Sequence, residues 1–406
     1  MNTMVFSLLK KPNRVLDFRW VCIFAIVFLA SCSMGTQNIV PEELSETATP
    51  VGFNNVRFFG DGLPQNARQV VKRKIDDSIA ARPNEWNRNR IIDVNFLIIS
   101  GGGPDGAFGA GILNGMTDGG KRIDFEVVTG VSTGALIAPF AFLGPKYDAA
   151  LKSVYTEIGT KDIVRNNGAL LALSKGSLGD TAPLQAVIAR YVTPELLSDV
   201  AHEYKIGRRL FVGTTNINAQ RPVIWNMGEI AKQGDEKALK LFRKVLLAST
   251  AIPVAFPSVK FQVEANNQIY EEVHIDGGTT NNAFFLPVRV GLAAYLKQLG
   301  LRIRPTMYVI RNSKSNPEWE PVEKKLLKVA QRSIATLVKN STTGDLYRLF
   351  TFTTLNNIDF RMIDIPNSFN VASKEPFDPV YMSQLYDVGY QFGKNGVQWK
   401  LQPPGL

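Results

Sequence analysis

Two glycine-rich stretches carry the residues whose types and spacing could do chemistry: GGGPDG (Gly101–Gly106) and GVSTG (Gly130–Gly134). The second is a G-x-S-x-G sequence standing between an apolar run (Phe125–Thr129) and a second apolar segment that opens at Thr133, TGALIAPFAFLG. That context is what a nucleophile elbow requires. Flanking glycines relieve the clashes of a tight strand-to-helix turn, so the Ser132 hydroxyl projects at a helix N-terminus, whose field favours negative charge. The first stretch has two readings. Gly101, Gly103 and Gly106 satisfy G-x-G-x-x-G, which in a dinucleotide site cradles pyrophosphate and is followed about 20 residues on by an acid at the end of the second strand. Here Asp124 and Glu126 have the right separation but stand at the beginning of that strand, which argues against a dinucleotide-dependent oxidoreductase. The other reading is a row of backbone N–H groups aimed at an oxyanion that forms during a reaction.

A serine hydroxyl needs a base, and the chain has two histidines. His202 lies in the charged helical stretch AHEYK and reads as a surface residue. His274 lies in VHIDGG, two positions before Asp276, so strand alternation puts both side chains on one face. The usual α/β Ser–His–Asp order needs a histidine after the acid, and none follows residue 276. A Ser132–Asp276 dyad and an unorthodox His274 base remain. An aspartate of ordinary pKa near 4 is a weak base for a hydroxyl, so the dyad needs a raised pKa or a short, dry approach.

GGGPDG, GVSTG and DGG (Asp276–Gly278), in that order and with AIPVAFP (Ala251–Pro257) between the last two, resemble the patatin-like phospholipase family over about residues 93–395. The resemblance implies a three-layer α/β/α patatin-like fold with a mostly parallel central sheet. It implies Ser132 as nucleophile, Asp276 as base, and the amides of Gly102 and Gly103, together with Gly101, as the oxyanion hole. The activity expected is that of a lipid acyl hydrolase of phospholipase A or esterase type, needing no cofactor and no metal, with a lipid or phospholipid acyl ester as substrate. One departure stands out: Asp105 occupies the place where the family usually has Arg or Lys. A carboxylate there weighs against anionic phospholipid as preferred substrate, and it keeps open the alternative of a catalytically weak or inactive lipid-binding lipoprotein.

These residues need a sheet to hold them. Ile91–Ser100 is an almost continuous apolar run, as in a strand covered on both faces of a parallel sheet. Ala107–Met116 has the spacing of a buried helix. Further strands are expected at Arg209–Thr214, Ile269–Ile275, Thr306–Arg311 and Phe360–Ile365, and helices at Asp235–Ala248, Val322–Lys339 and Pro379–Phe392. In the helix from Val322, the residues Leu326, Val329, Ala330, Ile334, Leu337 and Val338 recur at helical spacing and predict a core-facing stripe. Residues 168–183, with Leu170, Leu171 and Leu173, read as an ordinary loop with a short helix, a mobile apolar flap being the other reading.

The 406 residues, 45% hydrophobic and 20% charged, describe a folded chain with material for a large core. The net charge of +10 is spread out, so a nucleic-acid partner is not expected, while anionic lipid surfaces are favoured. At the N-terminus, basic residues precede the apolar run WVCIFAIVFLA (residues 20–30), which is short against the roughly 20 residues of a membrane span. LASC (Leu29–Cys32) resembles a bacterial lipobox and implies lipidation of Cys32 after cleavage before it. With Cys22 removed, no cysteine would remain for a disulfide, a metal or thiol catalysis. The expected organisation is a signal peptide (1–31), a tether and N-terminal extension (32–90) and an acyl hydrolase domain (91–406). The expected location is the bacterial cell envelope, lipid-anchored, on the outer membrane facing the periplasm.

Overall fold

The computed structural model describes residues 38–62, 67–86, 91–166, 177, 179–286, 295 and 298–406. Residues 1–31, Cys32 and most of the expected flap lie outside the described residues. Val40–Leu406 form one compact unit. Its centre is a ten-stranded mixed sheet. In chain order the strands are β1 (Thr49–Pro50), β2 (Arg57–Phe59), β3 (Ile91–Ile99), β4 (Val127–Val131), β5 (Arg209–Asn216), β6 (Arg221–Asn226), β7 (Val259–Ala265), β8 (Gln268–Asp276), β9 (Arg302–Arg311) and β10 (Asp359–Asp364). The order β10-β9-β3-β4-β5 is parallel throughout, and the remaining pairings are antiparallel.

Alternation along β3 assigns the layers. Leu97 and Ile99 enter the larger core, with Phe108, Ile112 and Leu113 of helix α1 (Gly106–Asp118) and Ile137 and Phe142 of α2 (Thr133–Leu143). α3 (Glu236–Ser249) packs on this face too. Val94, Phe96 and Ile98 point the other way, onto Met307, Val309, Phe360 and, from α4 (Leu326–Leu355), Leu346 and Leu349. Helices therefore cover both faces, as the three-layer expectation requires. α5 (Pro379–Asn395) lies against α1 at van der Waals distance of backbone to backbone: a side chain at Gly111 or Gly115 would overlap the carbonyl of Tyr386 or Tyr390.

The structure departs from the sequence reading in two places. Within the expected tether and N-terminal extension (32–90), β1 and β2 join the sheet, and the buried side chain of Arg57 pairs with Glu272 of β8 while donating to the Ala48 carbonyl at 2.9 Å. The stretch lacks long apolar runs because each strand is only two or three residues, too short for a period-2 pattern to register. The stripe on α4 is also not core-facing at its start. Leu326 and Leu337 are 86% and 70% exposed, whereas Ala330, Ile334 and Val338 are half-buried. The sequence pattern spans two helix faces, and the fold covers only one.

Candidate active site

The register of β5 brings the two ends of the site together. One edge of β5 is taken by β6 over Phe211–Asn216; the other is shared, with β4 alongside Arg209–Gly213 and β8 alongside Thr214–Asn216. The carboxyl ends of β4 and β8 thus meet, although they run in opposite directions. Ser132 follows the first and Asp276 ends the second.

Ser132 adopts φ 54° and ψ −125°, a left-handed strained conformation for a residue with a side chain, and it caps the start of α2. What permits the turn is close backbone packing around it. A Cβ at Gly130 would strike the Gly134 carbonyl, and one at Gly134 would strike the carbonyls of Ile99 and Ser100. The turn is braced from α3: the Ser132 amide donates to Ser249 Oγ at 3.0 Å, and Ser249 Oγ donates to the Gly213 carbonyl at 2.7 Å. Ser132 Oγ in turn donates to Asp276 Oδ2 at 2.6 Å, both residues being buried. Burial pushes the Asp276 carboxyl up to about 6, against the opposing hydrogen bonds from Ser132 and from the Gly278 amide, which reaches Oδ1 at 2.7 Å.

The glycine loop lies against this pair. A Cβ on Gly101 would come within 3.0 Å of Ser132 Cβ, and one on Gly102 would overlap the Asn312 carbonyl. Gly103 has φ 59° with open space where a side chain would be. Of the three amides expected to face an oxyanion, that of Gly101 is already engaged, donating to the Asn282 carbonyl at 3.2 Å. Its inclusion in the oxyanion hole is therefore corrected: it anchors the loop. The amides of Gly102 and Gly103 have no acceptor among the described residues. Asp105 follows at the turn into α1, where Tyr381 of α5 donates to its Oδ1 at 2.6 Å. Burial raises the Asp105 carboxyl to about 7, the Tyr381 bond opposing; Glu318 raises it further, and Lys314 and Lys339 work the other way.

His274 faces away from the hydroxyl. Its Nδ1 meets Thr214 Oγ1 at 2.9 Å and its Nε2 meets Glu272 Oε2 at 3.1 Å, and the ring packs against those of Trp225 and Phe261. Burial lowers its pKa. Both ring nitrogens are committed to a structural network, so the option of His274 as base loses its geometry. His202 is exposed near the end of the helix Pro194–Lys205, as expected.

Several positioning residues escaped sequence reading. Asn312, directly after β9, donates from Nδ2 to the Ser100 carbonyl and from its amide to Ser100 Oγ, each at 2.9 Å, and accepts from the Gly109 amide at 3.1 Å. It clamps both sides of the glycine loop. Asn282 is held from α4: its amide donates to Asp345 Oδ2 and its Nδ2 to Thr342 Oγ1, each at 2.7 Å. A usable signal existed, because both asparagines follow strands whose carboxyl ends converge on the site, where α/β sheets hold ligands. Among the described residues, no group of three or more His, Cys, Asp or Glu side chains is placed to hold a metal ion.

Fold and site together define an α/β protein with a serine at a nucleophile elbow, an aspartate beside it and a pair of unengaged amides. Residues 97–289 match the family described as patatin-like phospholipase. Among solved structures, VipD from Legionella pneumophila is similar at 11% identity and a TM-score of 0.38, covering 74% of this chain and 66% of its own. Human GIVD cytosolic phospholipase A2 is similar at 9% identity and a TM-score of 0.28, covering 78% of this chain and 53% of its own. The chain thus spans less than two thirds of either protein. No curated protein matches it.

Proposed function

We propose that the protein is a lipid acyl hydrolase working through a Ser132–Asp276 dyad. The observation that supports this most is the 2.6 Å bond from Ser132 Oγ to a buried carboxylate, beside two amides with no acceptor among the described residues. In the first step Ser132 Oγ attacks the ester carbonyl carbon and its proton passes to Asp276 Oδ2. The negative charge moves onto the carbonyl oxygen, where Gly102 and Gly103 N–H groups receive it; each good donor of this kind lowers a barrier by roughly 3–4 kcal/mol. Collapse breaks the ester C–O bond, and the departing alcohol oxygen takes the proton from Asp276. Water then attacks the acyl-serine, giving its proton to Asp276, and the fatty acid leaves as Ser132 recovers its hydrogen. The raised pKa of Asp276 suits it to this relay, because a stronger base takes the hydroxyl proton more readily.

The family supports a lipid ester as substrate. The LASC sequence supports a membrane tether through lipidated Cys32 in the bacterial envelope, and the intact mass of membrane-extracted protein tests it: an unmodified Cys32 refutes the tether. The catalytic reading is tested by hydrolysis of a soluble p-nitrophenyl ester and of mixed phospholipid. Ser132→Ala is expected to lower the rate by at least about 10³-fold. A rate equal to that of the parent would leave a protein that binds lipid without cleaving it, the reading that Asp105 favours.

A further inference from the structure

The catalytic reading leaves the exposed start of α4 unused. Trp319 is 89% exposed, and Leu326, Val329 and Leu337, at successive spacings of three and eight residues, stand outward as a single stripe on the helix. A shallow groove of about 440 Å³, lined by Val322, Val329, Arg332, Ser333 and Thr336, runs along it. From Lys324 to Lys339 the chain carries five cations and no acid. Arg332 and Lys339 fold back on Glu320 and Glu318, and Lys325 pairs with Glu323, while Lys324 and Lys328 have no ion pair among the described residues. Lys328, Arg332 and Lys339 fall on one flank of the apolar stripe, giving an apolar strip edged by positive charge.

Its place in the fold matters. Thr342, one turn beyond Val338 on the same helix, holds Asn282, and Asp345 holds the amides of Asn282 and Ala283 beside the catalytic loop. Lys314, Glu318 and Lys339 lie near enough to Asp105 to act on its charge. The strip therefore lies on the same helix that holds Asn282 in place.

We propose that Trp319, Val322 and the Leu326–Val329–Leu337 stripe form a docking surface for an anionic lipid bilayer, seating the mouth of the site at the headgroups. The proposal rests on the lipid hydrolase reading for its purpose. A folded surface leaves such aromatic and leucine side chains in water only at a cost, and a bilayer of complementary charge removes it. An acidic bilayer meets Lys324 and Lys328, which are free to face it, and its acyl region receives Trp319 and Leu326.

The test uses the full chain carrying Ser132→Ala, so that no lipid is consumed, with phosphatidylcholine–phosphatidylglycerol vesicles containing brominated acyl chains. The share of emission lost in a matching Trp319→Phe protein reports Trp319 alone, independently of any N-terminal anchor. That share is expected to shift to the blue and be quenched, less so with phosphatidylcholine alone. Lys324→Gln and Lys328→Gln are each expected to weaken this response about fivefold. In the otherwise unaltered chain, Leu326→Ser combined with Leu337→Ser is expected to lower hydrolysis of vesicle lipid about tenfold and leave soluble ester hydrolysis unchanged. Unquenched Trp319 on vesicle-bound protein overturns the proposal, as does an apolar strip whose substitution only converts a dimer to a monomer. If Trp319 is quenched but no ester is cleaved, docking stands and the hydrolase reading falls; cleavage without quenching gives the reverse.

Discussion

Replacing Asp276 with Asn should make the protein more stable as it destroys its activity, and the gain should depend on pH. Burial lifts the Asp276 carboxyl from an ordinary 3.8 to about 6. Two pH units correspond to about 3 kcal/mol at 25 °C. The sign follows from which state holds the proton more tightly. The folded chain does, so the stability linked to that proton is complete below about pH 4, where both states are protonated. It is lost as pH rises through about 6 and stays lost above. Asp276→Asn keeps the shape and removes the titration. Between about pH 4.5 and about pH 8 the variant should therefore gain about 2 kcal/mol on its parent. Melting curves of the two full chains at both pH values check this: the melting temperatures should lie close together in acid and separate by a few degrees at pH 8, the variant higher. Asp105 titrates in both proteins and cancels. Ester hydrolysis by the variant should fall by about 10²- to 10⁴-fold, the usual worth of a positioned base. A gap that does not widen with pH would refute the account of a desolvated carboxylate. Retained hydrolysis would refute its role as base.

Three other outcomes follow from the same geometry. The rate constant kcat/KM for a soluble ester should rise with pH and level off above about 6, since the base must be ionised in the free enzyme; a profile falling over that interval would contradict it. Gly102→Ala drives a methyl group into the Asn312 carbonyl, so the oxyanion loop must move, and soluble ester hydrolysis should fall about 100-fold or more; an unaffected rate would remove that loop from the mechanism. His274→Gln breaks into the network with Glu272 and Thr214, whose burial leaves no water to replace it. Stability should drop by about 1–3 kcal/mol with hydrolysis per folded molecule retained, measured by melting and by active-site titration of Ser132. Loss of hydrolysis in fully folded protein would return His274 to the chemistry.

The sequence by itself determined the local parts of this protein. G-x-S-x-G between an apolar run and a helix-forming run pointed to a tight strand-to-helix turn, because glycines at 130 and 134 relieve the clashes such a turn creates. The long strands β3, β5, β8 and β9 were legible because continuous or alternating apolar residues leave a clear period, while β1, β2, β6 and β7 were not read, the first two being too short to leave one. Tertiary structure decided everything that depends on register. Only the shared edge of β5 sets Asp276 beside Ser132, 144 residues away in the chain, and turns His274 toward Thr214 and Glu272 instead. Only packing decides that the Gly101 amide is spent on Asn282 while those of Gly102 and Gly103 find no acceptor among the described residues. The same holds for α4: periodicity says which residues share a helix face, but whether that face is covered depends on what else the fold brings there, and for Leu326 and Leu337 it brings nothing among the described residues.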